Sequence, residues 1–200
     1  RYQSTGRLED LEQAIVAFQQ AVLLTPADAP NRHHYFNNLG ASLSIRYRST
    51  GRLEDLEQMI RVYRQAVAQP STYSSDLPHY LGNLGNGLYD RYIRTGQIED
   101  LEQAFEWWRR AIELTPSDSP ELPSHLNNLA NGLRDRYIRT GQITDLERAF
   151  ELWQRAIELT PSDSPDLPRY LISLGTGLHE RYVRTGREDD LEQAIQISQH

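Results

Sequence analysis

Histidines and carboxylates are the residues of this chain that could do metal or acid–base chemistry, and the histidines form no recognisable motif. The 200-residue sequence has six histidines and no cysteine, which excludes thiolate metal sites and thiol nucleophiles. His34 and His79 lie one 45-residue repeat apart, which in packed helix pairs corresponds to ~10 Å. Two ligands of one zinc ion must lie closer, because the bonds are ~2 Å long. The sequence predicts no metal site, no cofactor and no enzymatic activity.

A glycine-rich run over residues 82–87 could be mistaken for a phosphate-binding loop. It lies inside a helical pattern and follows no strand, so the context of a nucleotide-binding loop is missing. Glycine inside a helix costs ~1 kcal/mol relative to alanine. We expect the small residues at this position, Gly85, Ala130 and Gly175, to allow close helix packing instead.

Asparagines recur before a Leu-Gly or Leu-Ala pair in three copies of the repeat. The segments are Asn37-Asn38-Leu39-Gly40, Gly82-Asn83-Leu84-Gly85 and Asn127-Asn128-Leu129-Ala130. An amide both donates and accepts hydrogen bonds, so it can hold an extended peptide backbone with little sequence preference. The alternative is that these amides only bridge neighbouring helices.

The repeat that positions these residues is strict. The hexapeptide Arg-Tyr-x-x-Thr-Gly, or a near variant, begins at Arg1, Arg46, Arg91, Arg136 and Arg181 without an insertion or deletion. Such a period indicates stacked supersecondary units, each burying its apolar face against its neighbours. We expect residues 1–200 to be a single array of about 4.4 copies and a fragment of a longer protein.

Each copy contains two helical patterns. Phe36, Leu39, Leu43 and Tyr47 are spaced as one face of an α-helix. Gly51 and its equivalents suit the left-handed residue that ends a helix. We expect all-α structure, with helices of roughly 18 and 14 residues. The predicted helix-start signals are Ser119-Pro120, Ser164-Pro165, and capping boxes at Asp10 with Gln13 and Thr144 with Glu147.

The paired helices resemble the tetratricopeptide repeat (TPR) family. The pattern of that family's first helix is matched by Phe36, Leu39, Gly40 and Leu43. The pattern of its second helix is matched by Ala14, Phe18, Ala21 and Pro26, by Ala104, Trp108, Ala111 and Pro116, and by Ala149, Trp153, Ala156 and Pro161. The resemblance covers the whole chain, although the family's usual unit has about 34 residues. It implies an α-solenoid of antiparallel helical hairpins forming a right-handed superhelix.

In that family the first helix of each hairpin lines a concave groove. The resemblance therefore implies a protein–protein interaction scaffold that binds a peptide or protein segment there. Asn38, Asn83 and Asn128 would form an amide ladder for the peptide backbone, continued by Asn86 and Asn131 one turn further along.

Positions that differ between copies on this face are predicted to set specificity. The two aligned sets are Ser44, Tyr89, Arg134 and His179, and Ile45, Asp90, Asp135 and Glu180. Such a face suits a polar or basic peptide better than an acidic one. Tyr89, Asp90, Arg134 and Asp135 are therefore predicted peptide contacts beside the amides.

Residues that every copy retains are expected to be structural. The arginine of each hexapeptide has carboxylates nearby in the following acidic segment, which predicts an ion pair between the two helices; the alternative is a row of arginines for acidic peptides. Trp108 and Trp153 are expected in the core.

The overall charge narrows the class of partner. A formal charge of −7 disfavours nucleic acid and anionic membranes. We predict a cytoplasmic chain that binds a protein, a peptide or another domain of its own polypeptide. The long unit also resembles arrays joined to caspase-like CHAT peptidases or nucleotide-switch ATPases. The alternative function is therefore a structural spacer, or an autoinhibitory or regulatory arm of a larger enzyme such as a CHAT peptidase.

Overall fold

The computed structural model describes residues 8–68 and 76–198, and only the backbone of Ser198. These residues contain α-helices and no strand, which confirms the expected all-α fold. None of the helices in this described part is long and apolar enough to cross a membrane. The first hexapeptide (residues 1–6) and His200 lie outside it. The helices are α1 (Leu8–Leu24), α2 (Arg32–Thr50), α3 (Leu53–Val67), α4 (Leu77–Thr95), α5 (Ile98–Leu114), α6 (Leu122–Thr140), α7 (Ile143–Glu158), α8 (Leu167–Thr185) and α9 (Glu188–Ser198).

The chain divides into two compact units, Arg1–Leu114 and Thr115–His200. In the first unit, α2 pairs with α3 and α4 with α5, while α1 packs against α2 and α3 against α4. In the second unit, α6 pairs with α7 and α8 with α9, and both α6 and α7 contact α8. We call the first helix of each hairpin helix A and the second helix B. Each helix A has 19 residues, close to the predicted length.

Every helix A ends as the sequence predicts. The glycines that follow it have φ between 71° and 75°, a left-handed conformation in which a Cβ would cause strain. Gly51, for example, donates its backbone N–H to the carbonyl oxygen of Tyr47 at 2.7 Å. The chain turns within two residues, so helix B folds back along helix A. The four glycines are Gly51, Gly96, Gly141 and Gly186.

The predicted helix starts are wrong in detail. Helix α6 begins at Leu122 and has Pro123 in its first turn. Ser119 is therefore not its N-cap and belongs to a separate turn before the helix. The Ser119 hydroxyl accepts the N–H of Glu121 at 3.3 Å and so stabilises that turn. The start of α8 at Leu167 is equivalent, so Ser164-Pro165 does not cap it.

The predictions of two capping boxes, at Asp10 and Thr144, are also wrong. Asp10 is the third residue of α1, and Thr144 is the second residue of α7, which has Gln142 as its N-cap without a side-chain bond. At this junction the Thr140 hydroxyl, at the end of helix A, accepts the N–H of Gln142 at 3.3 Å. The tight hairpin turn therefore takes the place of a capping box.

The core lies between the two helices of each hairpin and, within each unit, between neighbouring hairpins. Trp108 and Trp153 are buried as expected, with 1% and 0% of their surfaces exposed. Gly85 lies against Trp108, and a Cβ built on Gly85 would come within 2.6 Å of the indole. The absence of a side chain at Gly85 therefore allows the indole to pack against helix A, as the small residue predicts. Trp107 is half-buried.

A bidentate ion pair joins the two helices of each described hairpin, which confirms the structural interpretation of the repeated arginine. Arg91 donates from Nε and Nη2 to the carboxylate of Asp100, at 2.8 and 2.6 Å. The carboxylate is buried and the guanidinium largely so. Since the guanidinium is held by this carboxylate, the geometry does not favour a row of arginines for acidic peptides. The pairs are Arg46–Asp55, Arg91–Asp100, Arg136–Asp145 and Arg181–Asp190.

Candidate helix A interaction face

In the first unit, a hydrogen bond between two asparagine side chains connects the neighbouring A helices. The Nδ2 group of Asn83 on α4 donates to Oδ1 of Asn37 on α2 at 3.1 Å. Asn83 is half-buried in this bridge, whereas Asn38 is exposed. The residues of the predicted amide ladder therefore differ in role: Asn83 links two helices and Asn38 faces solvent.

Asn86 and Asn131 are held by tryptophans. The indole Nε1–H of Trp108 donates to Oδ1 of Asn86 at 2.9 Å, and that of Trp153 donates to Oδ1 of Asn131 at 3.1 Å. Because the indoles are buried, these amide oxygens satisfy donors that would otherwise be costly. Both amides are half-buried.

Sequence reasoning missed this pairing, although the repeat contains a signal for it. Asparagine occurs at this helix A position only in the two copies with tryptophan at the aligned helix B position. The preceding copy has Ala41 with Tyr63. A comparison of the two columns would have predicted the indole–amide bond.

In the second unit the amide bridge is not repeated. Asn127, equivalent to Asn37, is 2% exposed, and its Oδ1 accepts no hydrogen bond from the described residues. The equivalent of Asn83 on the next helix is Ser173, whose hydroxyl donates to the Arg169 carbonyl oxygen instead. The predicted ladder residue Asn128 is half-buried beside Asn127.

Charged residues link the A helices of the second unit. Nη2 of Arg134 donates to Oδ1 of the adjacent Asp135 at 2.9 Å, and its Nε lies 3.7 Å from Oε2 of Glu180 on α8. Burial raises the pKa of Glu180, while the Arg134 charge acts in the opposite direction. The predicted contacts Arg134 and Asp135 are thus brought together with Glu180 as two carboxylates around one guanidinium.

The predicted contacts Tyr89 and Asp90 lie near the end of helix A in the first unit. The Tyr89 ring packs against Trp108 with centroids 5.5 Å apart, and both Tyr89 and Asp90 are half-buried. Burial raises the pKa of the Asp90 carboxyl, and the positive charge of Arg48 partly offsets this effect. The structure therefore contains a partly desolvated carboxylate at a position that varies between copies.

An apolar groove of about 560 Å³ lies between α8 and α9. Ile172 is 68% exposed at its edge, whereas its equivalent Asn127 in the preceding copy is buried. His179, predicted to lie on the variable face, also lines it. The other lining residues are Pro168, Leu171, Gly175, Thr176, Ala194 and Ile197.

Comparison of the sequence with protein-family models finds no match, and comparison with curated proteins finds none either. Solved structures do share the fold. A kinesin light chain-like protein of Podosopora anserina with nearly identical TPR-like repeats matches with a TM-score of 0.66 at 17% identity, over 99% of this chain and 90% of that one. BtubC (BKLC) from P. vanneervenii matches with a TM-score of 0.69 at 18% identity, over 98% and 75%.

A third match is YrrB, described as a TPR protein with an unusual peptide-binding site. Its TM-score is 0.60 at 16% identity, over 95% of this chain and 79% of that one. At these identities the likeness is one of fold. The chain therefore has the TPR-like fold of helical hairpins that its sequence resembles.

Proposed function

We propose that this TPR-like chain is a protein-interaction scaffold that binds a polar or basic peptide or protein segment along its helix A face. The observation that carries the proposal is a contrast within the repeat. The Arg–Asp pairs occur in every described hairpin, whereas the position two residues before each paired arginine differs in every copy, as Ser44, Tyr89, Arg134 and His179. A surface that varies while its support stays constant is suited to selective recognition.

Asp90 supports a basic ligand. Its carboxylate loses solvation on folding, which raises its pKa, and Arg48 offsets this only in part. A lysine or arginine of a bound peptide beside Asp90 would stabilise the ionised carboxylate and lower its pKa again. Binding would therefore recover a cost that the free protein carries.

The second unit favours the same class of ligand. One guanidinium and two carboxylates, those of Asp135 and Glu180, meet at the end of helix A. This cluster combines two acidic side chains with one basic side chain, so it disfavours an acidic peptide. The formal charge of the whole chain, −7, acts in the same sense.

The amides would contribute backbone contacts. Asn38 is exposed, and Asn83 uses Nδ2 for its bridge to Asn37, so its Oδ1 can accept from a peptide N–H. The oxygens of Asn86 and Asn131 accept hydrogen bonds from indoles, so a peptide contact of Asn131 would use its Nδ2 group. The proposal assigns binding to this surface and no catalytic step.

The test is a peptide library in which the content of lysine and arginine is varied, screened against the purified 200-residue chain. We expect enrichment of basic peptides, and we expect Asp90→Asn to reduce it. Asp118→Asn, which removes an exposed carboxylate from the α5–α6 connection, is the matched control and should bind like the unmodified chain.

Stability separates a binding effect from unfolding. A raised carboxyl pKa means that the folded state holds its proton more tightly, so stability is lost as pH rises from the ordinary value of ~3.9 through the raised one. Asp90→Asn removes this loss and should not lower the unfolding temperature at neutral pH. Equal binding of acidic and basic peptides would contradict the proposal. Capture of no peptide would favour the alternative of a spacer or a regulatory arm.

A further inference from the structure

Two histidines and an aspartate meet where the first two A helices of the first unit begin. Each of His33, His34 and Asp76 offers one ligand atom, and these three atoms lie within 4.8 Å of one another. The His33 and His34 rings have centroids 4.1 Å apart, and Nδ1 of His34 is 3.7 Å from Oδ2 of Asp76. The cluster joins α2 to the residue preceding α4. It lies away from the variable positions at the ends of the A helices.

His33 occupies a position that is proline in the other described copies of the repeat. The other three described copies begin helix A with Leu-Pro, at Leu77-Pro78, Leu122-Pro123 and Leu167-Pro168. Proline is favoured at the first helical positions because its fixed φ suits a helix and its missing N–H is not needed there. The copy that precedes these three has His33 in place of the proline. This histidine is buried, with 4% of its surface exposed. A buried imidazole at a position that the fold fills with proline is not required by the repeat.

The hydrogen bonds around the cluster resemble those that hold the ligands of a bound metal ion. The His33 ring is hydrogen-bonded to the backbone of Pro30. Metal-bound histidines commonly donate one ring N–H to a backbone carbonyl, which fixes the ring and directs its other nitrogen to the metal. The Tyr80 hydroxyl lies 3.0 Å from Nδ1 of His34 and is also hydrogen-bonded to Asp76. Tyr80 therefore holds the side chains of His34 and Asp76 close to each other.

We propose that His33, His34 and Asp76 form a binding site for a divalent transition-metal ion of the zinc class. Two imidazoles and one carboxylate are a ligand set that zinc uses with a fourth position left for water. Ligands around zinc lie about 3.3 Å apart when bonds are ~2.0–2.1 Å long. The ligand atoms must therefore approach one another by about 1.5 Å at most, and the half-exposed side chains of His34 and Asp76 have room to move.

The sequence did not lead to a prediction of this site, because only histidines at equivalent positions of the repeat were considered as a possible pair. His34 and His79 belong to the same column of the repeat, which suggested that each histidine was isolated. In the folded chain the ligands come from three different columns, two at the start of α2 and one before α4.

The test is direct titration of the purified chain with Zn²⁺, in competition with a chromogenic chelator. We expect one equivalent to bind, and we expect His34→Ala and Asp76→Asn each to weaken binding at least about tenfold, since changing even a residue that only hydrogen-bonds to a metal ligand costs about 10–100-fold. His33→Pro is the sharpest variant, because it restores the residue of the other copies and should keep the fold. His179→Ala, an exposed histidine of the second unit, is the control and should bind zinc unchanged.

A second readout does not depend on the indicator. Zinc bound across α2 and the start of α4 should raise the unfolding temperature of the unmodified chain and leave that of His33→Pro unchanged. Mg²⁺ prefers oxygen ligands and should not reproduce the shift. The proposal is overturned if the chain binds no equivalent of Zn²⁺, or if His33→Pro binds it as tightly as the unmodified chain.

Discussion

The two units link their neighbouring A helices in different ways. In the first unit the link is neutral, since the amide of Asn83 donates to that of Asn37. In the second unit the link is charged, with Arg134 of α6 lying 3.7 Å from Glu180 of α8. In both units the A helices have the same length, a left-handed glycine follows each of them, and the same Arg–Asp pair joins helix A to helix B.

This difference shows which contacts the fold requires. Because neutral and charged links occur between otherwise equivalent hairpins, neither link determines the architecture. The apolar core and the ion pair within each hairpin are common to both units; burial of the core provides the main stabilising contribution, and the ion pair is costly to break once it is buried. The side chains between the A helices are therefore able to differ, which is what a binding face with its own specificity requires.

The largest expected effect tests the shared part of the two units. Asp100→Ala in the first unit and Asp145→Ala in the second should each lower the free energy of unfolding by about 2–3 kcal/mol, because each removes the bidentate carboxylate partner of a partly buried guanidinium. Urea unfolding of both variants measures this. Glu113→Ala, which breaks an exposed pair with Arg110, should scarcely change stability. A loss at Asp100 no larger than at Glu113 would show that the ion pairs are dispensable.

A smaller effect is expected at the indole–amide bonds, which also occur in both units. Asn86→Ala and Asn131→Ala should each cost about 1–3 kcal/mol, because a buried indole N–H loses its acceptor. The measurement is again urea unfolding, with the exposed Asn38→Ala as the control that should leave stability unchanged. Unaltered stability in both variants would mean that the indoles find another acceptor, and the amides would then be available to a ligand.

The smallest expected effect tests the difference between the neutral link of the first unit and the charged link of the second. Ser173→Asn would place a second-unit amide where Asn83 stands in the first, opposite the buried Oδ1 of Asn127. We expect a gain of about 0.5–1 kcal/mol from the new hydrogen bond, measured as a rise in unfolding free energy. Asn83→Ala should cost a similar amount in the first unit. If Ser173→Asn is destabilising, the charged link leaves no room for an amide bridge, and the two links exclude each other.

Much of the fold could be predicted because each prediction used local information. Gly51 and its equivalents end helix A through their own backbone conformation, and the spacing of Phe36, Leu39 and Leu43 defines a buried stripe. The helix starts failed for the opposite reason. Ser119 has the residue type of an N-cap, but its hydroxyl stabilises a separate turn just before the helix.

The candidate site was less predictable. Asn86 and Asn83 carry the same amide, yet one accepts from an indole and the other donates to a neighbouring amide. Residue type does not distinguish these roles, because the partner lies on another helix, 22 or 46 residues away. Aligning the asparagine column with the tryptophan column would have revealed the first bond.

The sequence by itself determined the 45-residue period, the pairing of helices A and B, and the arginine that joins them. These features depend on contacts within one copy of the repeat, and the sequence contains several such copies. Only the tertiary structure decided how one copy of the repeat packs on the next, as where Asn83 donates to Asn37 and where Asp76 lies close to His33 and His34 in the first unit. The physical reason is that these contacts join different columns of the repeat, and their distances depend on how the helices pack rather than on the spacing of residues along the chain.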